Sequence, residues 1–191
     1  RKAYPPNTSF TKSGLLDFYS DNFASKGFPA FPTYTPIPEH QKMGKDDLHL
    51  TTYKVAVHTH SRTAHCKWLT EIKHDNPAWI NSKTAAERGI KDGDAIKVTS
   101  DLGEITTTAH VTEGIIPGIV AISHHLGRQQ SGIYGSGKKS PTTVDAAVDP
   151  DAKNMRWKKH GTHPNSIIPN SSDPISGGQR WMDTVVKVAK A

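Results

Sequence analysis

From Val57 to His65 the chain reads VHTHSRTAH, which gathers three histidines, three hydroxyl side chains and one arginine into nine residues. Two chemistries compete for this stretch. His58 and His60 share one side if they continue a strand, and paired imidazoles at that spacing suit zinc or copper. Ser61, Arg62 and Thr63 instead suit an anion: the guanidinium offers a planar fork of donors, the hydroxyls add two more, and a bend after a strand exposes backbone N–H groups. A metal needs further ligands. His65, Cys66, the His124-His125 pair and His160-x-x-His163 are the available ones, and none stands at a spacing that completes a site. With 11 histidines in the chain, chance pairs are expected. KDGD at 91–94 resembles part of a calcium loop, but it lacks the acidic spacing and the closing glutamate, so it reads as a turn hinged on Gly93.

The elements that must position this stretch fall in the middle of the sequence. LTTYKVAV alternates and predicts a strand leading into the histidines. AWI is a short apolar run. NSKTAAERG predicts a helix capped by Asn81 or Ser82 and ended by Gly89. AIKVTS, the turn DLG and EITTTAHV predict a hairpin. IVAIS predicts a further buried strand, and TVVKVAKA a last one that returns to the same core. Short strands, one small helix and several glycine turns predict a compact β-barrel, mainly β with short helices, and not a doubly wound sheet.

Residues 1–47 form a lead-in with 6 of the 13 prolines and the aromatic run FPAFPTYTPIP. Proline excludes central strands and helix interiors there. SGLLDFYSDNFASKG predicts a short amphipathic helix ending at Gly27. Residues 48–191 form the barrel, with a long irregular excursion at about 126–183. The chain begins without a methionine, and we expect it to be a piece of a longer polypeptide.

Composition narrows the function classes. Hydrophobic residues make up 34% and the formal charge is +6. That surplus suits an anionic partner or plain solubility. The basic runs KK at 138–139 and RWKK at 156–159 are too short for a nucleic-acid tail, so no nucleic-acid partner is expected. A single cysteine, Cys66, excludes an internal disulfide and a cysteine-based cluster. No apolar run reaches the roughly 18 residues of a membrane helix.

Taken together, WINSKTAAERGIKDGDAIKVTSDLGEITTTAHVTEGIIPGIVAI resembles the C-terminal dinucleotide-binding domain of the molybdopterin oxidoreductases, the dimethyl sulfoxide reductase family. TKSGLLDFYS with FPAFPTY is similar to that family's lead-in, with Leu15 and Asp17 where the family has Lys and Glu. HPNSIIPNSSDPISGGQRWMDTVVKV is similar to its closing segment, in which Asn165 precedes Asp173-Pro174 by eight residues. The DPISGGQRW wording is most similar to the catalytic subunits of polysulfide, thiosulfate and tetrathionate reductases. The resemblance implies a double-psi β-barrel of the aspartate decarboxylase-like kind. The implied cofactor is molybdopterin guanine dinucleotide, its molybdenum or tungsten ligated outside this chain. It carries cofactor contact onto Thr52, Lys54, His60, Ser61, Arg62 and Thr63, and onto His124, His125 and Arg128. Asn165, Gln179 and Arg180 follow from the closing segment. Asn81 stands between helix cap and guanine contact. The implied partners are the remainder of the catalytic subunit, an iron–sulfur electron-transfer subunit and a membrane anchor subunit. The implied location is the periplasm or the outer face of the cytoplasmic membrane, and the implied chemistry is redox work on a sulfur oxyanion or polysulfide. A barrel recognition module without the cofactor and a small His-metal barrel enzyme are the alternatives.

Overall fold

The computed structural model describes residues 11, 14, 17–64, 66–127 and 161–191. Leu15, Arg128 and His160 lie outside them. The chain forms two compact units, a smaller one ending at Pro38 and a larger one, Glu39–Ala191. In the smaller unit, helix α1 (Asp21–Ser25) is capped by Ser20, whose hydroxyl accepts from Phe23 N–H. Gly27, at φ 78°, ends that turn as expected. Tyr19 packs edge-to-face on Phe31. A second short helix, α2 (Pro38–Gln41), opens on a proline, which is tolerated at a first helical turn.

Six strands follow: β1 (Asp47–Thr51), β2 (Ala78–Ile80), β3 (Ala95–Ser100), β4 (Gly103–Val111), β5 (Ile119–Ala121) and β6 (Thr184–Lys190). They close into a barrel in the order β1-β5-β2-β4-β3-β6. Two neighbouring pairs are parallel, β1 with β5 and β2 with β4. The other four are antiparallel. Exchanging β1, β2, β3 for β4, β5, β6 leaves every pairing and every direction unchanged. The barrel is thus two interlocked copies of one three-strand unit, the double-psi arrangement the resemblance implied.

Alternation builds the core. Leu48 and Leu50 of β1 face inward beside Val186, and Ile96 and Val98 of β3 do so beside Val188. Cross-strand partners meet in register: Leu48 opposite Val186, Val98 opposite Val188 and Ile105, and Ile80 opposite Val120. Each buried aliphatic contributes about 1.5–3 kcal/mol. Helix α4 (Ser82–Glu87) forms as predicted, with Asn81 as N-cap and Gly89 at φ 62° just past its end.

One predicted strand is shorter than expected, and one helix stands unpredicted. The strand expected over LTTYKVAV stops at Thr51. Its neighbours explain this: β5 ends at Ala121, the partner of Thr51, and β6 begins at Thr184, the partner of Leu50. Beyond that point there is no edge to pair with, so Tyr53 instead packs on Trp79 and donates its hydroxyl to the Pro77 carbonyl. In the excursion, residues 161–183 carry no strand beyond an isolated bridge, but Ile167 and Ile168 are buried in the core. A helix, α3 (Lys67–Ile72), stands where no element was predicted.

Candidate functional site

The strand registers bring the C-terminal ends of β1 and β5 beside the N-terminal ends of β2 and β6. The loops leaving those ends carry most of the chemistry read from the sequence.

HSRT is a 3-10 turn, His60–Thr63, and not the end of a strand. His58 is 5% exposed and both its ring nitrogens are taken. Nε2 lies 2.6 Å from the Lys73 carbonyl, an acceptor only, so that nitrogen carries the proton. Nδ1 is therefore an acceptor, and the Thr63 hydroxyl donates to it at 3.0 Å. Thr63 in turn accepts from Thr59 N–H. His58 is thus a satisfied anchor, and neither it nor Thr63 has a hydrogen left for a ligand. The expected alignment of His58 with His60 fails with the strand. Among the described residues no three His, Cys, Asp or Glu side chains are arranged to hold a metal.

His60 is exposed and sits at φ 47°, the left-handed region a non-glycine residue enters at a cost. That twist turns its Nδ1 to His124 Nε2, 3.2 Å away. His124 stacks on His125 with ring centroids 4.4 Å apart, and Trp181 packs against it, tilted, at 5.6 Å. His125 is 1% exposed, and its Nδ1 pairs with the Ser123 hydroxyl at 2.6 Å. The remaining nitrogen of each ring, His124 Nδ1 and His125 Nε2, is buried with no partner among the described residues. Burial holds both imidazoles below the ordinary histidine pKa, His125 down to about 4, with the neighbouring histidines and Lys54 adding repulsion. At neutral pH this is a pair of uncharged rings, each with one unanswered polar atom. A buried polar atom without a partner costs about 1–3 kcal/mol, a cost the fold carries at this loop. Lys54 and Arg62 are exposed nearby in sequence, Ser61 is half-buried, and Thr52 is buried against Met182.

The other residues carried over lie differently. Asn165 is exposed on the 3-10 turn Pro164–Ser166. That turn is held to the histidine loop where Gly127 crosses the Thr162–His163 backbone. Gln179 is exposed and pairs with Ser172. The Arg180 guanidinium binds Asp183 at 2.9 Å and Glu39 at 3.6 Å, which holds its pKa above the ordinary value. It lines a separate cleft of about 590 Å3 that also contains Lys42, Asp47 and Asp101. Of this segment, Trp181 reaches the histidines. Asn81 lies at the opposite end of β2 from this cluster. Its amide donates to Ile115 O and Glu113 and its oxygen caps Lys83 N–H.

Sequence reasoning overlooked Asn76, Ser123, Thr162 and Trp181. Asn76 stands just before Pro77 at the entry to β2, and that Asn-Pro step before the apolar AWI was the available signal.

The family model described as the molydopterin dinucleotide binding domain matches residues 48–185. The chain is 30% identical over 133 residues to the thiosulfate reductase molybdopterin-containing subunit PhsA of Salmonella typhimurium, covering 70% of this chain and 15% of that one. It is 33% identical over 121 residues to the dimethyl sulfoxide/trimethylamine N-oxide reductase of Cereibacter sphaeroides, covering 59% of this chain and 14% of that one. Among solved structures, acetylene hydratase from Pelobacter acetylenicus superposes with a TM-score of 0.69 at 20% identity, over 95% of this chain and 24% of that one, and shares its fold. The chain thus spans a small part of the relatives it matches. Barrel and family match agree: the chain belongs to the molybdopterin dinucleotide-binding domains of the molybdopterin oxidoreductases, whose cofactor is molybdopterin guanine dinucleotide.

Proposed function

We propose that this chain is the C-terminal cofactor-holding domain of a molybdenum or tungsten bis-molybdopterin guanine dinucleotide oxidoreductase acting on a sulfur oxyanion or polysulfide. The single observation that carries the reading is the stacked, uncharged His124–His125 pair, whose outer ring, His124, is half-buried and meets the exposed His60. Neutral imidazoles both donate and accept, which suits the mixed donor and acceptor rim of a pterin. Arg62 and Ser61 suit its phosphate, since a guanidinium forks onto phosphate oxygens with charge-assisted bonds. His60 sets His124 through their ring contact, and Trp181 shields that ring from water. The cofactor, when bound, supplies the metal that exchanges electrons with substrate; this chain holds and orients it.

The identity to a thiosulfate reductase subunit supports the sulfur-compound reading. The much greater length of the relatives supports a remainder of the catalytic subunit carrying the metal's protein ligand. An iron–sulfur subunit, a membrane anchor subunit and a periplasmic or outer-face location complete the proposal. Co-purification and fractionation of the full-length enzyme test these; recovery only as a lone cytoplasmic chain would refute them.

Arg62→Ala in the full-length enzyme tests the site. Arg62 is exposed and, among the described residues, makes no side-chain bond that holds the barrel, so stability should change by less than about 0.5 kcal/mol, while pterin content per polypeptide falls. Unchanged pterin content would show that the HSRT turn is not a cofactor contact.

A further inference from the structure

Asn76 is a hub that the family match does not explain. It is 1% exposed at the entry to β2, yet takes no part in the strand ladder, which begins at Ala78. Its amide donates to Ser123 O at 2.6 Å and to Thr162 O at 2.7 Å. Its side-chain oxygen accepts from Thr162 N–H at 2.6 Å. Both amide hydrogens are therefore used, and both go to loops. Pro77 follows, which restricts the Asn76 backbone to extended conformations and so fixes where the amide points.

Two glycines make room for this contact. At Gly161, with φ 73°, a Cβ would stand 2.4 Å from Asn76 Oδ1. At Gly127, with φ 87°, a Cβ would stand 2.1 Å from the Thr162 carbonyl carbon. The two backbones cross so closely that no side chain fits between them. Ser123 links the clip to the site: its carbonyl accepts from Asn76, and its hydroxyl pairs with His125 Nδ1.

We propose that Asn76 is a positioning residue for the cofactor, locking the Ser123–Gly127 loop onto the Gly161–Ser166 segment so that His124, stacked on the buried His125, and Asn165 are presented as one rigid unit. This rests on the reading of the histidine pair as a cofactor contact. Asn76 touches no ligand itself; it acts through Ser123 and Thr162.

The test uses the full-length enzyme with Asn76→Asp and Asn76→Ser. Aspartate keeps the shape but turns an oxygen on two carbonyls that need a donor. Serine keeps a small polar group too short to bridge both loops, and serves if the aspartate variant does not fold. Two readouts are needed. One is pterin content and its rate of release. The other is carbethoxylation of individual histidines in cofactor-depleted enzyme, read by peptide mass spectrometry, with His49 of β1 as internal reference. The proposal expects release to accelerate by about tenfold or more, since buried hydrogen bonds are lost. It also expects His125 to become labelled while His49 keeps its wild-type rate. Wild-type release, or a His125 as protected as in the wild type in a folded variant, would overturn it. Equal gains at His125 and His49 would mean general loosening and would overturn it as well. Failure of the cofactor reading looks different: the wild-type enzyme itself would carry no pterin, whatever the labelling of His125.

Discussion

Gly127→Ala, compared with Gly118→Ala, isolates the loop crossing from the cost of backbone conformation. Both glycines adopt positive φ, 87° and 84°. An alanine at either pays about 1–2 kcal/mol for that region. At Gly118 a new Cβ meets nothing within 4 Å, so the conformational term is the whole effect. At Gly127 it would lie 2.1 Å from Thr162 C, 2.3 Å from His163 N and 2.4 Å from Thr162 O. Carbon atoms rest about 3.5 Å apart or more, so the backbones must separate by more than about 1 Å. That movement pulls Thr162 off Asn76, breaking two hydrogen bonds and leaving a buried amide unsatisfied. At about 1–3 kcal/mol for such a group plus about 1 kcal/mol for each bond lost, Gly127→Ala should cost about 3–5 kcal/mol more than Gly118→Ala. Urea unfolding followed by circular dichroism reads the difference as a lower midpoint at constant slope. In heat, at about 2–4 °C per kcal/mol, the gap should exceed about 6 °C. If the two variants unfold within about 1 kcal/mol of each other, the crossing does not hold the site loops together.

Two further perturbations separate frame from site. Asn81→Ala removes a helix cap and the bond to Ile115, and should cost about 1–2 kcal/mol of stability. It should leave pterin content per folded polypeptide unchanged, because Asn81 lies at the other end of β2; a selective loss of cofactor would refute that placement. His125 gives a pH dependence. Its native pKa, about 4, lies below the ordinary histidine value, so the unfolded chain binds the extra proton first as pH falls. Stability from this group is therefore intact above about pH 6.5 and declines from there to about pH 4, by about 3 kcal/mol at most. His124, His58, His60 and Lys54 face it and oppose its protonation. His125→Gln should flatten that decline in a series of unfolding curves; an unchanged slope would mean the ring is not held neutral.

The barrel was legible because its information is local. The β3–β4 hairpin, the capped α4 and the closing β6 each follow from alternation or a glycine at a turn. Where β1 ends was not legible, since Thr51 is its last residue only because β5 and β6 stop opposite it. The same long-range fact changed the site. With the strand gone, His58 turns inward to Lys73 and Thr63, and His60 turns to His124. The HTH spacing therefore suggested a metal pair that the fold divides. The His124-His125 pair was visible in sequence, but not that one ring would be buried and each would keep a nitrogen without a partner among the described residues. Asn76 left almost no trace, because its value lies in two loops 47 and 86 residues away.

On the proposed function, this barrel end holds a pterin dinucleotide. Denaturing the purified full-length enzyme and assaying the released pterin, guanine nucleotide, molybdenum and tungsten tests it most directly. Pterin and guanine nucleotide should appear in equal amounts together with one of the two metals. An active preparation that releases neither pterin nor guanine nucleotide would contradict it.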